Sequence, residues 1–202
     1  LKFLGTSGTA ATGTITAYFR LGTAASGTPH DTYLHDLHVE NNQAAAAGGT
    51  APVFEVTGDV AGGIGGLRVN NSWIGNRLWG PTPVVNLAGT AGPTRAEFRD
   101  CTFIMDAQVV GDRFIGGGTG VTEYMLFKNC DFINVESGTA LTSAYTGAAS
   151  ADNPVLFRNC AYTNVSQAGT GAEMYKSPAS SGTQAAIFDY GISIGSAALV
   201  PA

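Results

Sequence analysis

The chain has 202 residues, a formal net charge of −5 and 12% charged residues, about half the charged fraction of an average globular domain. This length suffices for one sizeable hydrophobic core. The charge argues against nucleic acid as a partner, because neutralising many phosphates requires a cluster of Lys and Arg that the sequence lacks. No apolar run approaches the roughly 18 residues of a membrane-spanning helix, so no membrane partner is expected.

A six-residue motif recurs along the chain. Its clearest copies lie at 98–103, 127–132 and 157–162, and each has an aromatic residue, a basic residue, an Asp or Asn and a cysteine in that order. The cysteines are 29 and 30 residues apart. A fixed period of this length predicts stacked supersecondary units, since one unit cannot bury its apolar face alone.

Weaker copies extend the motif in both directions. They lie at 1–4, 34–39, 67–73 (with one inserted residue) and 187–192. The chain is therefore predicted to form six to seven units in one domain over residues 1–202. Residues 1–33 are expected to form a less regular N-terminal coil, and residues 195–202 an apolar C-terminal tail.

Short β-branched or aromatic segments bounded by Gly, Pro, Thr and Asp lie between the motifs, at 51–56, 83–87 and 122–127. They predict strands, and no sustained stretch keeps the 3.6-residue period of a helix. A leucine-rich repeat is the competing interpretation, because Leu34 and Leu37 match its apolar spacing. Few leucines, no helical return segment and the Asp or Asn of the motif weigh against it.

The Asp or Asn of the motif is typical of a tight turn between strands, because both residues tolerate the left-handed backbone conformation. The predicted turn column contains Asp36, Asp100, Asn129, Asn159 and Asp189. Stacked at about 4.8 Å, it resembles the asparagine ladder of right-handed parallel β-helices of the pectate-lyase type, over residues 34–194. The resemblance implies an all-β, single-domain right-handed parallel β-helix. In that frame a core column points inward after the turn, formed by Cys101, Cys130, Cys160 and Tyr190.

The three cysteines are interpreted as buried, reduced apolar fillers. Their odd number does not suit a disulfide framework, and no C-x-x-C pair suggests zinc. The histidines His30, His35 and His38 cluster in sequence, but no fourth metal ligand is evident. No metal and no cofactor are therefore predicted.

A basic column precedes the turn and contains His35, Arg68, Arg99, Lys128 and Arg158. Stacked like charges repel, so either an anionic ligand or acidic partner lies along the stripe, or acids such as Glu97, Glu123 and Asp131 neutralise it. The second interpretation is preferred.

Catalysis would require two carboxyl groups facing one cleft, about 5–10 Å apart. Asp106, Asp131 and Glu136 follow the motif and are the candidates. Their positions in the unit are not equivalent, and the motifs Asn-Thr-Asp, Gly-His-Gly and Arg-Ile-Lys that mark pectate lyases and polygalacturonases are missing. Trp73 and Trp79 are candidates for a sugar-stacking platform or for covering a loop.

Low charge, richness in Gly, Ala and Thr, unpaired cysteines and an apolar end at 197–201 predict a non-enzymatic structural protein. In these features it is similar to bacteriophage virion components, such as capsid decoration (cement) proteins and tail-spikes. This similarity implies a homotrimer bound to a phage capsid or tail protein, located in the virion after assembly in the host cytoplasm. The alternatives are a carbohydrate-active protein, either a polysaccharide lyase or hydrolase or a polysaccharide-binding module, and a fragment of a bacterial adhesin.

Overall fold

The computed structural model describes residues 2–5, 19–23, 31–41, 54–58, 66–76, 84–87, 95–105, 113–117, 124–135, 143–146, 155–163, 175–176 and 186–194. Within these ranges the secondary structure consists of strands. In chain order they are β1 (Lys2–Gly5), β2 (Phe19–Thr23), β3 (Thr32–His35), β4 (His38–Asn41), β5 (Phe54–Gly58), β6 (Gly66–Asn70), β7 (Trp73–Asn76), β8 (Val85–Leu87), β9 (Arg95–Arg99), β10 (Thr102–Met105), β11 (Arg113–Gly117), β12 (Tyr124–Lys128), β13 (Asp131–Asn134), β14 (Ser143–Thr146), β15 (Val155–Thr163), β16 (Tyr175–Lys176) and β17 (Ala186–Ile194).

The strands form two parallel sheets. A large, curled 11-stranded sheet has the order β1-β4-β7-β10-β13-β15-β12-β9-β6-β3, with β17 paired to β15. A six-stranded sheet has the order β16-β14-β11-β8-β5-β2. Most strands that pair with each other are three strands apart in the chain. The chain therefore passes through three strands and then adds the next strand beside the first of them. The predicted all-β, parallel fold class is confirmed.

The 11-stranded sheet has two arms that meet at the turn of the motif. The upstream arm contains β3, β6, β9, β12 and the first part of β15. The downstream arm contains β1, β4, β7, β10, β13 and the last part of β15. The two arms are joined where β15 and β17 run through the turn without a break.

The core is built from apolar side chains that occupy the same position in successive units. On the upstream arm the rings of Phe98, Phe127 and Phe157 stack with centroids 5.4 and 5.0 Å apart. On the downstream arm Phe103, Phe132 and Tyr162 stack at 5.1 and 5.4 Å. These six rings are buried. Like side chains therefore pack on like, as expected when in-register parallel strands repeat one motif.

The six-stranded sheet closes this core from the opposite side. Its buried side chains include Phe54, Val85, Leu87, Phe114 and Ile115, and Val84 is buried just before β8. The ring of Phe114 meets the ring of Phe132 edge-on at 5.6 Å, so the two sheets share one hydrophobic core.

The unit predicted at 67–73 with an inserted residue is in fact regular. Val69 pairs with Phe98, and Asn70 pairs with Arg99, so the motif begins at Val69 and needs no insertion. Asn71 is its turn residue. The turn residues Asp36 and Asn71 are 35 residues apart, whereas the cysteines of the clear copies are 29 and 30 residues apart. The additional residues of this unit therefore lie between the motifs and not within one.

The prediction for the last unit is wrong by one position. Asp189 pairs with Arg158, and Gly191 pairs with Cys160, which removes Asp189 from the turn column and Tyr190 from the core column. The physical reason is that this register pairs Phe188 with Phe157, whose side chain is buried, so like residues share one row.

The predicted terminal segments are only partly described. Within 1–33 the structure shows β1 and β2, and β1 pairs in register with β4. The predicted tail at 195–202 lies outside the described residues. Across the ranges described, no helix has the length and apolarity needed to cross a membrane.

Candidate functional site

The turn between the two arms has the same backbone conformation in five units. Its residue has a φ of 54° at Asp36, 46° at Asn71, 54° at Asp100, 53° at Asn129 and 51° at Asn159. This is the left-handed region, where Asn and Asp are enriched because their short polar side chains bond locally. The Asp or Asn of the motif therefore coincides with the left-handed residue at which the chain passes from one arm into the other.

Backbone hydrogen bonds continue across the turn. The N–H of Asn71 donates to the carbonyl of Arg99, that of Asp100 to Lys128, and that of Asn129 to Arg158, at 2.9 to 3.0 Å. Just after the turn, the N–H of Thr102 donates to the carbonyl of Ser72 at 2.8 Å. The ladder of strand pairing is therefore unbroken at the bend.

The turn side chains bond to one another in one direction, each amide donating to the unit before it. Asn71 Nδ2 donates to Asp36 Oδ1, Asn129 Nδ2 donates to Asp100 Oδ1 at 2.8 Å, and Asn159 Nδ2 donates to Asn129 Oδ1 at 3.0 Å. Asp100 carries no amide N–H to give to Asn71. No side-chain hydrogen bond joins these two described residues, so the side-chain ladder is interrupted between them.

Asp36 lies at the N-terminal end of this ladder. Its carboxylate accepts hydrogen bonds from His35 and from Asn71, and these lower the pKa of Asp36. Because the folded-state pKa lies below the ordinary value of 3.8, this contribution to stability is present above that pH and is lost as the pH falls through the folded value. The carboxylate is exposed, so the contribution is small.

The cysteines form a buried column just after the turn. Cys101, Cys130 and Cys160 are free thiols with 2% exposure or less. Each sulfur bonds the carbonyl two residues before it, at 3.2 to 3.4 Å. Burial raises the pKa of the Cys130 thiol well above its ordinary value of 9.0, so this group is an unreactive core thiol at neutral pH.

The column continues beyond the cysteines with Ser72. This serine is buried, and its hydroxyl donates to the carbonyl of Asn70 at 2.7 Å and accepts from the N–H of Leu37 at 3.2 Å. Ser72 therefore bonds a backbone carbonyl as the thiols do. Apolarity alone did not identify it, but its spacing from Cys101 by 29 residues is the same as that between Cys101 and Cys130.

The outer face of the upstream arm carries a network of ions around a buried carboxylate. Glu97 is 5% exposed. Arg68 Nε lies 3.0 Å from Glu97 Oε2, and Arg99 donates to the same oxygen through Nε at 3.1 Å and Nη2 at 2.9 Å. The buried acid therefore holds two guanidinium groups side by side, both partly exposed.

A second ion pair and an aromatic ring border this network. Arg95 Nη2 donates to both carboxylate oxygens of Asp31, at 3.2 and 2.9 Å. The guanidinium carbon of Arg68 lies 4.7 Å from the centroid of the Tyr33 ring, and Tyr33 is 56% exposed. Together with Gly66 these residues line a shallow surface cavity.

The predicted basic stripe is only partly one column. Strand pairing defines one row across the upstream arm, which contains, in order, His35, Asn70, Arg99, Lys128, Arg158 and Asp189. Arg68 belongs to the adjacent row, opposite Tyr33 and Glu97. The prediction that Arg68 belongs to the stripe is wrong, because the motif of this unit begins at Val69 and not at Leu67. Glu97 neutralises part of the stripe, as the preferred interpretation expected.

The downstream arm presents a different outer surface. The rings of His38 and Trp73 lie on neighbouring strands with centroids 4.5 Å apart. A Cβ added to Gly75 would collide with Ile104 and would meet the Trp73 ring at 3.1 Å, so Trp73 and Ile104 cover this glycine. Trp73 here packs on its own sheet, and its predicted companion Trp79 lies outside the described residues.

The predicted catalytic carboxylates are not assembled by the described part of the chain. Asp131 is exposed at the start of β13, opposite Thr102 and Ala161. Asp106, Glu136 and the stripe acid Glu123 lie outside the described residues, as does His30 of the predicted histidine group. Within the ranges described, His, Cys, Asp and Glu nowhere gather in a group of three that could hold a metal ion.

Comparison with protein-family models, with curated proteins and with solved structures finds no match.

Proposed function

We propose that this protein is a non-enzymatic structural module, a right-handed parallel β-helix of six to seven coils that works by self-association and docking. The observation that carries the proposal is the use of the repeated polar positions. The turn side chains of Asn71, Asn129 and Asn159 bond to neighbouring turns, and the thiols bond core carbonyls. These groups stabilise the fold, and the two carboxylates at the described cavity, Asp31 and Glu97, are each held in ion pairs with arginines.

Composition supports an assembled state. Only 12% of the residues are charged, and the segment 197–201 is apolar. The strand edges of a stack of parallel strands must be covered by a cap, another domain or another chain to prevent uncontrolled association. We propose a homotrimer on a phage virion, bound to a capsid or tail protein as a decoration (cement) or tail-spike component.

The test is sedimentation of the purified chain at micromolar concentration, followed by cosedimentation with phage capsids and tails that lack it. A trimer that binds either particle supports the proposal. A stable monomer of 20.6 kDa that binds neither particle contradicts it.

A second candidate function is carbohydrate binding or cleavage, and the cluster around Tyr33, Arg68 and Glu97 favours it. An exposed aromatic ring next to fixed hydrogen-bond donors is the usual composition of a polar-ligand site. A screen of acidic polysaccharides for new reducing ends or unsaturated products separates the two candidates. A monomer with turnover would place the carbohydrate-active function first.

A further inference from the structure

We propose that the outer face of the upstream arm binds an acidic polysaccharide through its carboxylates, without cleaving it. The binding residues are Tyr33, Arg68, Arg99, Lys128 and Arg158, which we call the basic face. This function goes beyond the structural role, rests on the carbohydrate-binding candidate by naming its ligand class, and does not depend on the oligomeric state.

Positive charge is concentrated on this arm. The chain has ten Lys and Arg residues and a net charge of −5, yet Arg95 and the four cations of the basic face all lie on the upstream arm. The described acids of this arm and its turn are Asp31, Asp36, Glu97, Asp100 and, by register, Asp189. Three successive strands nevertheless carry a cation at the same position of the row, at Arg99, Lys128 and Arg158, so the potential along this row is locally positive.

Glu97 positions the cations before any ligand arrives. Its Oε2 accepts Nε of Arg68 and both Nε and Nη2 of Arg99. A guanidinium has five N–H donors in a rigid plane, and these contacts use one from Arg68 and two from Arg99. The buried acid thus holds two partly exposed guanidinium groups in fixed positions. Such groups match a carboxylate in a bidentate arrangement, and little side-chain entropy is lost on binding.

Tyr33 adds a surface suited to a sugar ring. One face of its ring contacts Arg68 at 4.7 Å, while 56% of the residue remains exposed. Aromatic side chains combine an apolar face with low conformational entropy. A ring beside a guanidinium pair can therefore contact the apolar face of a sugar whose carboxylate the arginines bind.

The spacing of the row favours a polysaccharide over a nucleic acid. Arg99, Lys128 and Arg158 follow one another on adjacent strands, which places one cation about every 4.8 Å across the sheet. A polyuronate carries one carboxylate per charged sugar and can follow such a single row. A DNA duplex carries a charge about every 1.7 Å of its axis, a density that one row of three cations on adjacent strands matches poorly.

The experiment is isothermal titration calorimetry of the full chain with alginate and hyaluronate as probes, with neutral dextran and a DNA duplex as controls. We expect both polyuronates to bind, more weakly as salt increases because exposed charges are screened, and dextran not to bind. The double variant Lys128→Gln/Arg158→Gln should weaken polyuronate binding by at least about tenfold. Both side chains are exposed, so its circular dichroism and Tm should match those of the parent.

A matched variant tests whether position matters. Arg113→Gln removes a cation from β11 of the six-stranded sheet and should leave binding unchanged. Tyr33→Ala should weaken polyuronate binding without changing its salt dependence. The proposal is overturned if neither polyuronate binds, if Arg113→Gln weakens binding as much as the double variant, or if the DNA duplex binds as tightly as the polyuronates at equal salt.

Discussion

Asn129 illustrates how one residue serves both backbone and side-chain demands of the fold. Its φ of 53° is costly for most side chains. Its amide donates to Asp100 and its carbonyl oxygen accepts from Asn159. The turn therefore needs a residue that tolerates this conformation and also links the units above and below.

Two substitutions of Asn129 separate the contribution of its backbone conformation from that of its side-chain hydrogen bonds. Asn129→Val should lower the free energy of unfolding by about 1–3 kcal/mol, because a β-branched residue is strained in the left-handed region. Asn129→Gly accepts the conformation and loses only the two side-chain bonds, so its loss should be smaller. Urea unfolding followed by circular dichroism measures both. Equal losses would show that backbone strain does not contribute.

The interruption between Asn71 and Asp100 predicts a stabilising change. Asp100→Asn supplies the missing amide donor to Asn71 and keeps an oxygen that accepts from Asn129. We expect a gain of about 0.5 kcal/mol, the lower end for a net hydrogen bond, because the site is exposed. The control Asp131→Asn removes the same charge from an exposed position outside the ladder. A similar gain in both variants would attribute the effect to charge alone.

The buried thiol of Cys130 predicts a loss of stability in alkali. Its folded-state pKa is raised by burial above the unfolded value of 9.0. Above that pH the unfolded chain releases the proton while the folded chain keeps it, so the free energy of unfolding falls as the pH rises. Cys130→Val keeps the site apolar and removes this ionisation. Thermal unfolding between about pH 8 and pH 10 should show a smaller decline in the variant than in the parent; equal declines would contradict the assignment.

At the scale of the elements, stability depends on side chains that stack from strand to strand. Phe132 lies at the centre of this packing, between Phe103 and Tyr162 and edge-on to Phe114 and Phe127. Phe132 therefore contacts the unit before it and the unit after it, and the six-stranded sheet covers this ring through Phe114. The strands are therefore stable only as members of the stack, because each unit leaves its apolar side chains uncovered without neighbours.

Phe132→Ala should lower the free energy of unfolding by about 3–5 kcal/mol, the range for large cavities in a close-packed core. Phe132→Leu should lower it less, since most of the volume is retained. Val135→Ala, at a 49% exposed position just after the same strand, should change it by no more than about 0.5 kcal/mol. Guanidinium unfolding of the three variants measures the order, and a loss of under about 1 kcal/mol for Phe132→Ala would refute close packing at this site.

At the scale of the whole molecule, the repeated register predicts that a complete unit can be removed. Deleting residues 130–159 joins Asn129 to Cys160 and recreates the motif at the junction. Phe103 then lies one unit from Tyr162, and the row continues. We expect the deletion variant to fold with a β-rich circular dichroism spectrum and a lower Tm, since fewer interfaces remain.

A shorter deletion provides the control. Removing residues 130–144 cuts half a unit, because it deletes β13 and the first two residues of β14 and joins Asn129 to Tyr145. The register of the following strands is then lost. This variant should not fold. If both deletions behave alike, the units are not interchangeable and the solenoid interpretation fails.

The sequence by itself determined the fold class and most of the central repeat. Phe127, Asn129 and Cys130 recur at nearly constant spacing with similar chemistry, and in-register parallel strands place equivalent residues in one row. The burial of the phenylalanines and cysteines and the left-handed turn residues follow from that spacing. In these units the residue types and their spacing indicate the same frame, so the positions of the core and turn residues could be predicted without the tertiary structure.

Only the tertiary structure decided the frame of the less regular units. Asn70 and Asn71 are adjacent and both suit a turn, and strand pairing selected Asn71. Pairing likewise moved Arg68 out of the basic row and set Asp189 opposite Arg158. The sequence also did not predict the cluster that Tyr33, Arg68 and Arg99 form with Glu97, because these residues come from three different strands. Register depends on which apolar side chains are buried together, and that is a property of neighbouring strands rather than of one segment.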